Sequence, residues 1–175
     1  MIEDLGAHRG KTIVFGYDRH VLPELGAYTQ ALGSCGAIVN AVGGQGQPLH
    51  YLTSAESVCR RMLGVGSGLT VGVLVCATGL GVCIAANKFR GLYAARCLSA
   101  EDARCARLVN NANVLCLAAA STVDVNRRII DAFMTTPYEG RKLDELLYLR
   151  RLEMDDKDHG GDHHDRHHRG LRSIG

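Results

Sequence analysis

VGVLVCATGLGVCIAANKFRGLYAAR, residues 71–96, decides the fold of this chain. Its opening run, Val71 to Val75, is short, apolar and rich in β-branched residues, the pattern of a strand buried on both faces. The run stops at Cys76-Ala77-Thr78-Gly79-Leu80-Gly81, where two glycines let the backbone turn tightly and approach a ligand. Val82 to Lys88 then reads as the start of a helix, and Leu92 to Ala95 as a further strand. Strand, glycine turn, helix and strand make a βαβ unit, and open α/β sheets bind ligands beyond the carboxyl ends of their strands. Cys76 and Thr78 fall at that end, beside a helix N-terminus whose amides attract anions. The active site is placed there.

Working outward, Thr12 to Phe15 reads as a first strand, with Gly16-Tyr17-Asp18-Arg19-His20 as the loop at its carboxyl end. Pro23 opens a helix that runs to Leu32, and Ala37 to Val42 forms a second strand. A flexible loop, Gly43 to Pro48, precedes a helix from Tyr51 to Leu63. Beyond the central unit, Ser99 caps a helix reaching about Asn110, with Glu101 and Asp102 in its favoured first turn. Val114 to Ala118 is the fifth strand, Val123 to Thr135 an amphipathic helix, and Leu143 to Leu152 a last helix with an apolar stripe. That stripe suits packing on a neighbouring subunit or on its own domain. Alternation of strands and helices predicts an α/β fold, Rossmann-like, in three α/β/α layers around a five-stranded parallel sheet.

Length suits one domain with a real core, set at residues 11–153 between a leader (1–10) and a tail (154–175). The tail, rich in histidine and aspartate, has nothing apolar from Asp155 to Arg169 and is expected to be disordered. The competing reading is loose binding of a transition metal by His163, His164, His167 and His168, although their spacing fits no closed tetrahedral site. A formal charge of +2 and no dense basic patch argue against a nucleic-acid partner. No apolar run is long enough for a transmembrane helix, and no signal peptide is visible, which points to the cytoplasm. Seven cysteines, an odd number with no CxxC pair, argue against a disulfide framework. Most are expected as small buried hydrophobes.

Cys76 differs because it ends a strand at a glycine turn. A thiolate there serves as base or nucleophile; the alternative is a buried structural cysteine. Thr78, Gly79, Leu80 and Gly81 offer a hydroxyl and amides to an oxyanion. The turn lacks the full GxGxxG fingerprint of a dinucleotide site, and no acidic residue ends the second strand to hold a ribose. Asp18, Arg19 and His20 share the same sheet edge and suit a polyol and a phosphate, or an ordinary solvated loop. Asn110, with Asn111, closes a helix, and Arg141 with Lys142 can reach an anion or simply face water.

These blocks carry a resemblance. Cys76 to Gly81, Ile84-Ala85-Ala86-Asn87-Lys88, Ala94-Ala95-Arg96-Cys97, Asn110-Asn111-Ala112-Asn113-Val114, and Ile130-Asp131-Ala132-Phe133 followed by Tyr138-Glu139-Gly140 occur in one order. The series resembles the type B ribose-5-phosphate isomerases and the related galactose-6-phosphate isomerase subunits, over roughly residues 11 to 152. The resemblance implies an aldose–ketose isomerase of phosphorylated sugars that needs no metal or other cofactor and works through an enediolate. By the match, Cys76 is the base, Thr78 acts at the sugar oxygens, the amides from Gly79 to Gly81 hold the oxyanion, and Asp18 binds sugar hydroxyls.

The departures are specific. The family's aspartate–histidine pair reads Asp18-Arg19 here, with His20 displaced by one. The ring-opening histidine falls at Val109 and a phosphate-binding arginine at Ala120. Of a C-terminal pair of arginines, Arg141 matches one, the other falling near Glu145; an Asp-Tyr-Pro motif survives only as Pro48. In the resembling isomerases the site lies between two subunits, so a homodimer or larger homo-oligomer is expected, or a heteromer with a homologous subunit carrying the missing histidine and arginines. The pattern is nearest the cysteine-bearing galactose-6-phosphate isomerase subunit. A catalytically silent paralogue, binding a metabolite or serving as a partner subunit, is the alternative.

Overall fold

The computed structural model describes residues 4–40, 50–66 and 68–155. The tail from residue 156, the leader's first three residues and the loop Gly43 to Pro48 lie outside them. Five strands form the sheet: β1 (Thr12–Tyr17), β2 (Ile38–Asn40), β3 (Thr70–Cys76), β4 (Ala94–Arg96) and β5 (Val114–Ala118). Their order is β2-β1-β3-β5-β4 and every pairing is parallel. Among the described residues six α-helices accompany them: α1 (Leu25–Gly33), α2 (Tyr51–Val65), α3 (Leu80–Ala86), α4 (Ala100–Leu108), α5 (Val123–Thr135) and α6 (Leu143–Asp155).

Period-two alternation along the strands sorts the side chains into two cores. Ile13, Phe15, Tyr17, Val71, Val73, Val75, Leu115 and Leu117 meet α1, α4 and α5 on one face. Val14, Leu74, Cys76, Val114 and Cys116 meet α2 and α3 on the other. All seven residues of β3 are buried, as a central parallel strand covered on both faces demands. The three-layer fold read from the sequence is therefore the fold observed. Gly72 is what lets α2 lie close: a Cβ there would come within 2.7 Å of the Met62 sulfur.

Several boundaries differ from expectation, and β1 continues through Gly16 and Tyr17, expected in the loop, because both pair with β3. Pro23 sits inside a 3-10 turn, Arg19–Glu24, capped by the Asp18 side chain, so α1 begins only at Leu25. The fourth strand starts at Ala94 rather than Leu92, because the Asn113 side chain takes the Tyr93 amide at 2.8 Å before the ladder begins. The second strand is described only over Ile38–Asn40, the predicted Ala41 and Val42 lying outside the described residues.

Residues 4–10, expected to be a loose leader, are bound across the amino edge of the sheet. Gly6 bridges to Tyr138, and the His8 and Arg9 amides donate to the Met134 carbonyl. Arg107, fully buried, donates to the Gly6 carbonyl at 2.9 Å, the Ala112 carbonyl at 2.7 Å and the Asn111 side chain at 2.7 Å. Burial brings its guanidinium down to about 10. His8 is 2% exposed and its Nε2–H donates to the Ala112 carbonyl at 3.0 Å. Burial, and then the nearby Arg107 charge, lower His8 to about 3, so the imidazole is neutral. A buried arginine that satisfies carbonyls from separate segments ties them together, which composition alone does not announce.

Candidate active site

At the carboxyl edge of the sheet opens a cavity of about 600 Å³, lined by Asp18, Arg19, His20, His50, Tyr51, Cys76, Ala77, Thr78 and Gly81. Cys76 is the last residue of β3, registered against Ala118, and is 5% exposed. The Gly79 amide donates to its sulfur at 3.2 Å, which fixes the side chain's direction. The Leu80 amide donates to the Thr78 hydroxyl oxygen at 3.3 Å. Two of the amides expected at an oxyanion thus serve the site's own side chains. With its oxygen occupied as an acceptor, the Thr78 hydroxyl keeps its hydrogen for an outside oxygen.

The two glycines have separate reasons. Gly79 has a left-handed φ of 72°, and a Cβ there would sit 3.0 Å from the Leu117 carbonyl. Gly81 faces Tyr51, whose ring would lie 2.5 Å from an added Cβ. The tyrosine therefore packs directly on the turn, bringing the start of α2 to the cavity wall. Arg96, at the end of the edge strand β4, reaches over and donates to the Thr78 carbonyl at 2.7 Å. The turn is held from both sides.

Asp18 follows β1 and is 7% exposed. One of its oxygens accepts from the His20 amide at 2.9 Å and from His20 Nδ1 at 3.1 Å. Arg19 stands exposed between them at the rim. His50 and Tyr51 were not among the residues singled out from sequence, and neither was the positioning role of Arg96. The first two open α2, His50 as its N-cap and Tyr51 as its first residue, so only the sheet order shows that they arrive beside Cys76. The His50 ring packs tilted against that of Tyr51, with centroids 4.4 Å apart, and its Nδ1 accepts from the Leu52 amide at 3.4 Å.

Asn110 and Arg141 lie elsewhere. Asn110 follows α4 at the amino edge, and Arg141 follows Tyr138, whose hydroxyl donates to its carbonyl at 3.0 Å. Within one chain the sheet separates both from Cys76. Val109 ends the same helix beside Asn110, and Ala120 lies exposed after β5.

The other cysteines are sorted by their surroundings. Burial pushes Cys59 and Cys97 up to about 12 and raises Cys116 as well. Cys83 is brought down to about 7, mainly by the Cys116 thiol hydrogen-bonded to it and further by Arg96 and Asn87, against the effect of burial. Cys83 does not line the cavity; Cys76 does. Among the described residues no cluster of three or more metal-binding side chains forms, and no helix is long and apolar enough to cross a membrane.

A parallel sheet whose carboxyl edge gathers a thiol, a hydroxyl and an acid–imidazole pair around one cavity defines a small-ligand site of the open α/β kind. The chain belongs to the Ribose/Galactose Isomerase family, whose profile matches residues 13–147. It is 43% identical over 82 residues to a probable ribose-5-phosphate isomerase B of Mycoplasma genitalium, a match covering 44% of this chain and 54% of that protein. It is 41% identical over 87 residues to a D-erythrulose-4-phosphate isomerase of Pectobacterium atrosepticum, covering 47% of this chain and 57% of that one. The chain thus spans about half the length of the curated relatives it matches. A crystal structure of ribose-5-phosphate isomerase B from Mycoplasma genitalium with bound ribulose 5-phosphate superposes with a TM-score of 0.74 at 29% identity. That match covers 85% of this chain and 99% of the other.

Proposed function

We propose that this chain is an aldose–ketose isomerase of a sugar phosphate, working through a cis-enediolate with Cys76 as the base. The observation that carries the reading is the convergence of Cys76 and Thr78 on one cavity, each oriented by an amide of the same turn. The Cys76 sulfur removes the proton from the carbon next to the carbonyl and returns it to the neighbouring carbon. The Thr78 hydroxyl donates to the oxygen on which charge develops, a preorganised donor being worth most where water is excluded. Asp18 keeps one carboxylate oxygen for sugar hydroxyls, and Arg19 and His50 stand at the rim for an anionic end group. The substrate is a tetrose, pentose or hexose phosphate; the ribose-5-phosphate and D-erythrulose-4-phosphate isomerases among the relatives support the pentose and the tetrose.

A second copy, or a homologous subunit, that sets its amino edge against this cavity would add Asn110 and Arg141 from outside. The departures at Val109 and Ala120 favour one alternative, a silent subunit, and turnover by the purified chain decides between the two. Tetrose, pentose and hexose phosphates are incubated with the purified protein, and ketose formation is followed. Expected is turnover by the wild type and a loss on the order of 10²–10⁴ in kcat for Cys76→Ala at little changed KM, because the base acts only in the transition state. No turnover with any substrate, or a Cys76→Ala variant as fast as the wild type, overturns the reading.

A further inference from the structure

Resting on that isomerase reading, we infer that His20, held by Asp18, opens the sugar ring within a single chain. A cyclic hemiacetal opens when the anomeric hydroxyl loses its proton, the bond from C1 to the ring oxygen breaks, and the ring oxygen gains a proton. The O–H pair becomes the new C=O bond, and the broken bond's pair stays on the ring oxygen. One imidazole carries the whole exchange if it takes the anomeric proton on one nitrogen and returns it to the ring oxygen. No co-reactant is consumed.

Such a carrier needs an acceptor nitrogen facing the cavity and a counter-charge for the transient imidazolium. His20 has both. Its Nδ1–H is committed to Asp18 at 3.1 Å, which leaves Nε2 as the acceptor and puts a carboxylate behind the ring. Asp18 also takes the His20 amide at 2.9 Å, so backbone and side chain are registered to one oxygen. Asp18 is nearly buried while the His20 side chain is 45% exposed, an anchored acid under a reachable imidazole. The other cavity histidine lacks this arrangement. His50 Nδ1 accepts a backbone amide, so its proton sits on Nε2 and the ring is a donor without a paired acid. Val109, at the end of α4, has no titratable group.

His20→Gln is compared with wild type on two substrates. Ribose 5-phosphate closes to a furanose and must be opened; erythrose 4-phosphate has its fourth hydroxyl phosphorylated and cannot close that ring. Expected is a fall in kcat/KM on the order of 10²-fold or more for the pentose and less than about tenfold for the tetrose. Equal falls on both, or none on the pentose, overturn the inference. So does a wild type that turns over the tetrose alone, which leaves the isomerase reading standing. A wild type acting on neither substrate removes the isomerase reading and this inference with it. A second measurement bypasses isomerisation. Cys76→Ser should still speed exchange between the ring anomers of ribose 5-phosphate above the buffer rate, and Cys76→Ser/His20→Gln should not. Equal exchange by the two variants counts against His20. A thermal melt of each variant checks the fold.

Discussion

The two edges of this sheet hold similar kinds of residue and use them in opposite ways. At the amino edge, Arg107, His8 and Asn111 are buried and spend their donors on backbone carbonyls. At the carboxyl edge, Arg19, His20 and Thr78 stand at a cavity with donor or acceptor capacity turned outward. Charge type therefore says little about role. What separates a brace from a site is whether the polar group's partners come from its own chain.

Three measurements press on that contrast. The largest effect is expected from Arg107→Met, which leaves several buried carbonyls without a donor. A loss of about 3–5 kcal/mol is expected, or a Tm lower by roughly 10 °C, with turnover of the folded fraction retained. Activity lost at an unchanged Tm would erase the distinction between the edges.

The next effect follows pH. His8 is lowered in the folded state to about 3 from 6.5, so the unfolded chain binds the extra proton between those values. The contribution is fully present above pH 6.5 and is lost as the pH falls toward 3, about 2 kcal/mol having gone by pH 5. Denaturant unfolding of wild type and His8→Gln at pH 7 and pH 5 isolates it. The wild type should lose more, and equal losses would show that His8 does not report burial at this edge.

The smallest stability effect belongs to the other edge. Gly81→Ala pushes a Cβ toward Tyr51, whose half-buried ring can swing into the cavity, at a cost under about 1 kcal/mol. Turnover should fall roughly tenfold because the turn's partner has moved. A change in Tm of several degrees with turnover intact would make this edge a brace as well.

The sequence made some of this legible and hid the rest for physical reasons. Residues 71–86 declared themselves because strand, turn and helix are contiguous, and Gly79, left-handed against the Leu117 backbone, does need to be a glycine there. Asp18 and His20 were legible as a cluster, but not their shared oxygen, which depends on the 3-10 turn that displaces α1. His50 and Tyr51 were hidden because α2 lies far from Cys76 in sequence and only the β2-β1-β3 order brings it alongside. The amino-edge brace was hidden because it joins residues 4–8, 107–112 and 134–138, none of which looks unusual alone.

Arg96 has a consequence for anyone reusing this scaffold. The turn bearing Cys76 and Thr78 grows from the centre of the sheet, yet the guanidinium gripping its backbone comes from β4, an outer strand two places away. Transplanting residues 71–86 onto a foreign parallel sheet would carry over the reactive groups and leave their clamp behind. The smallest portable unit runs through Arg96 and includes β5, the spacer that sets the reach.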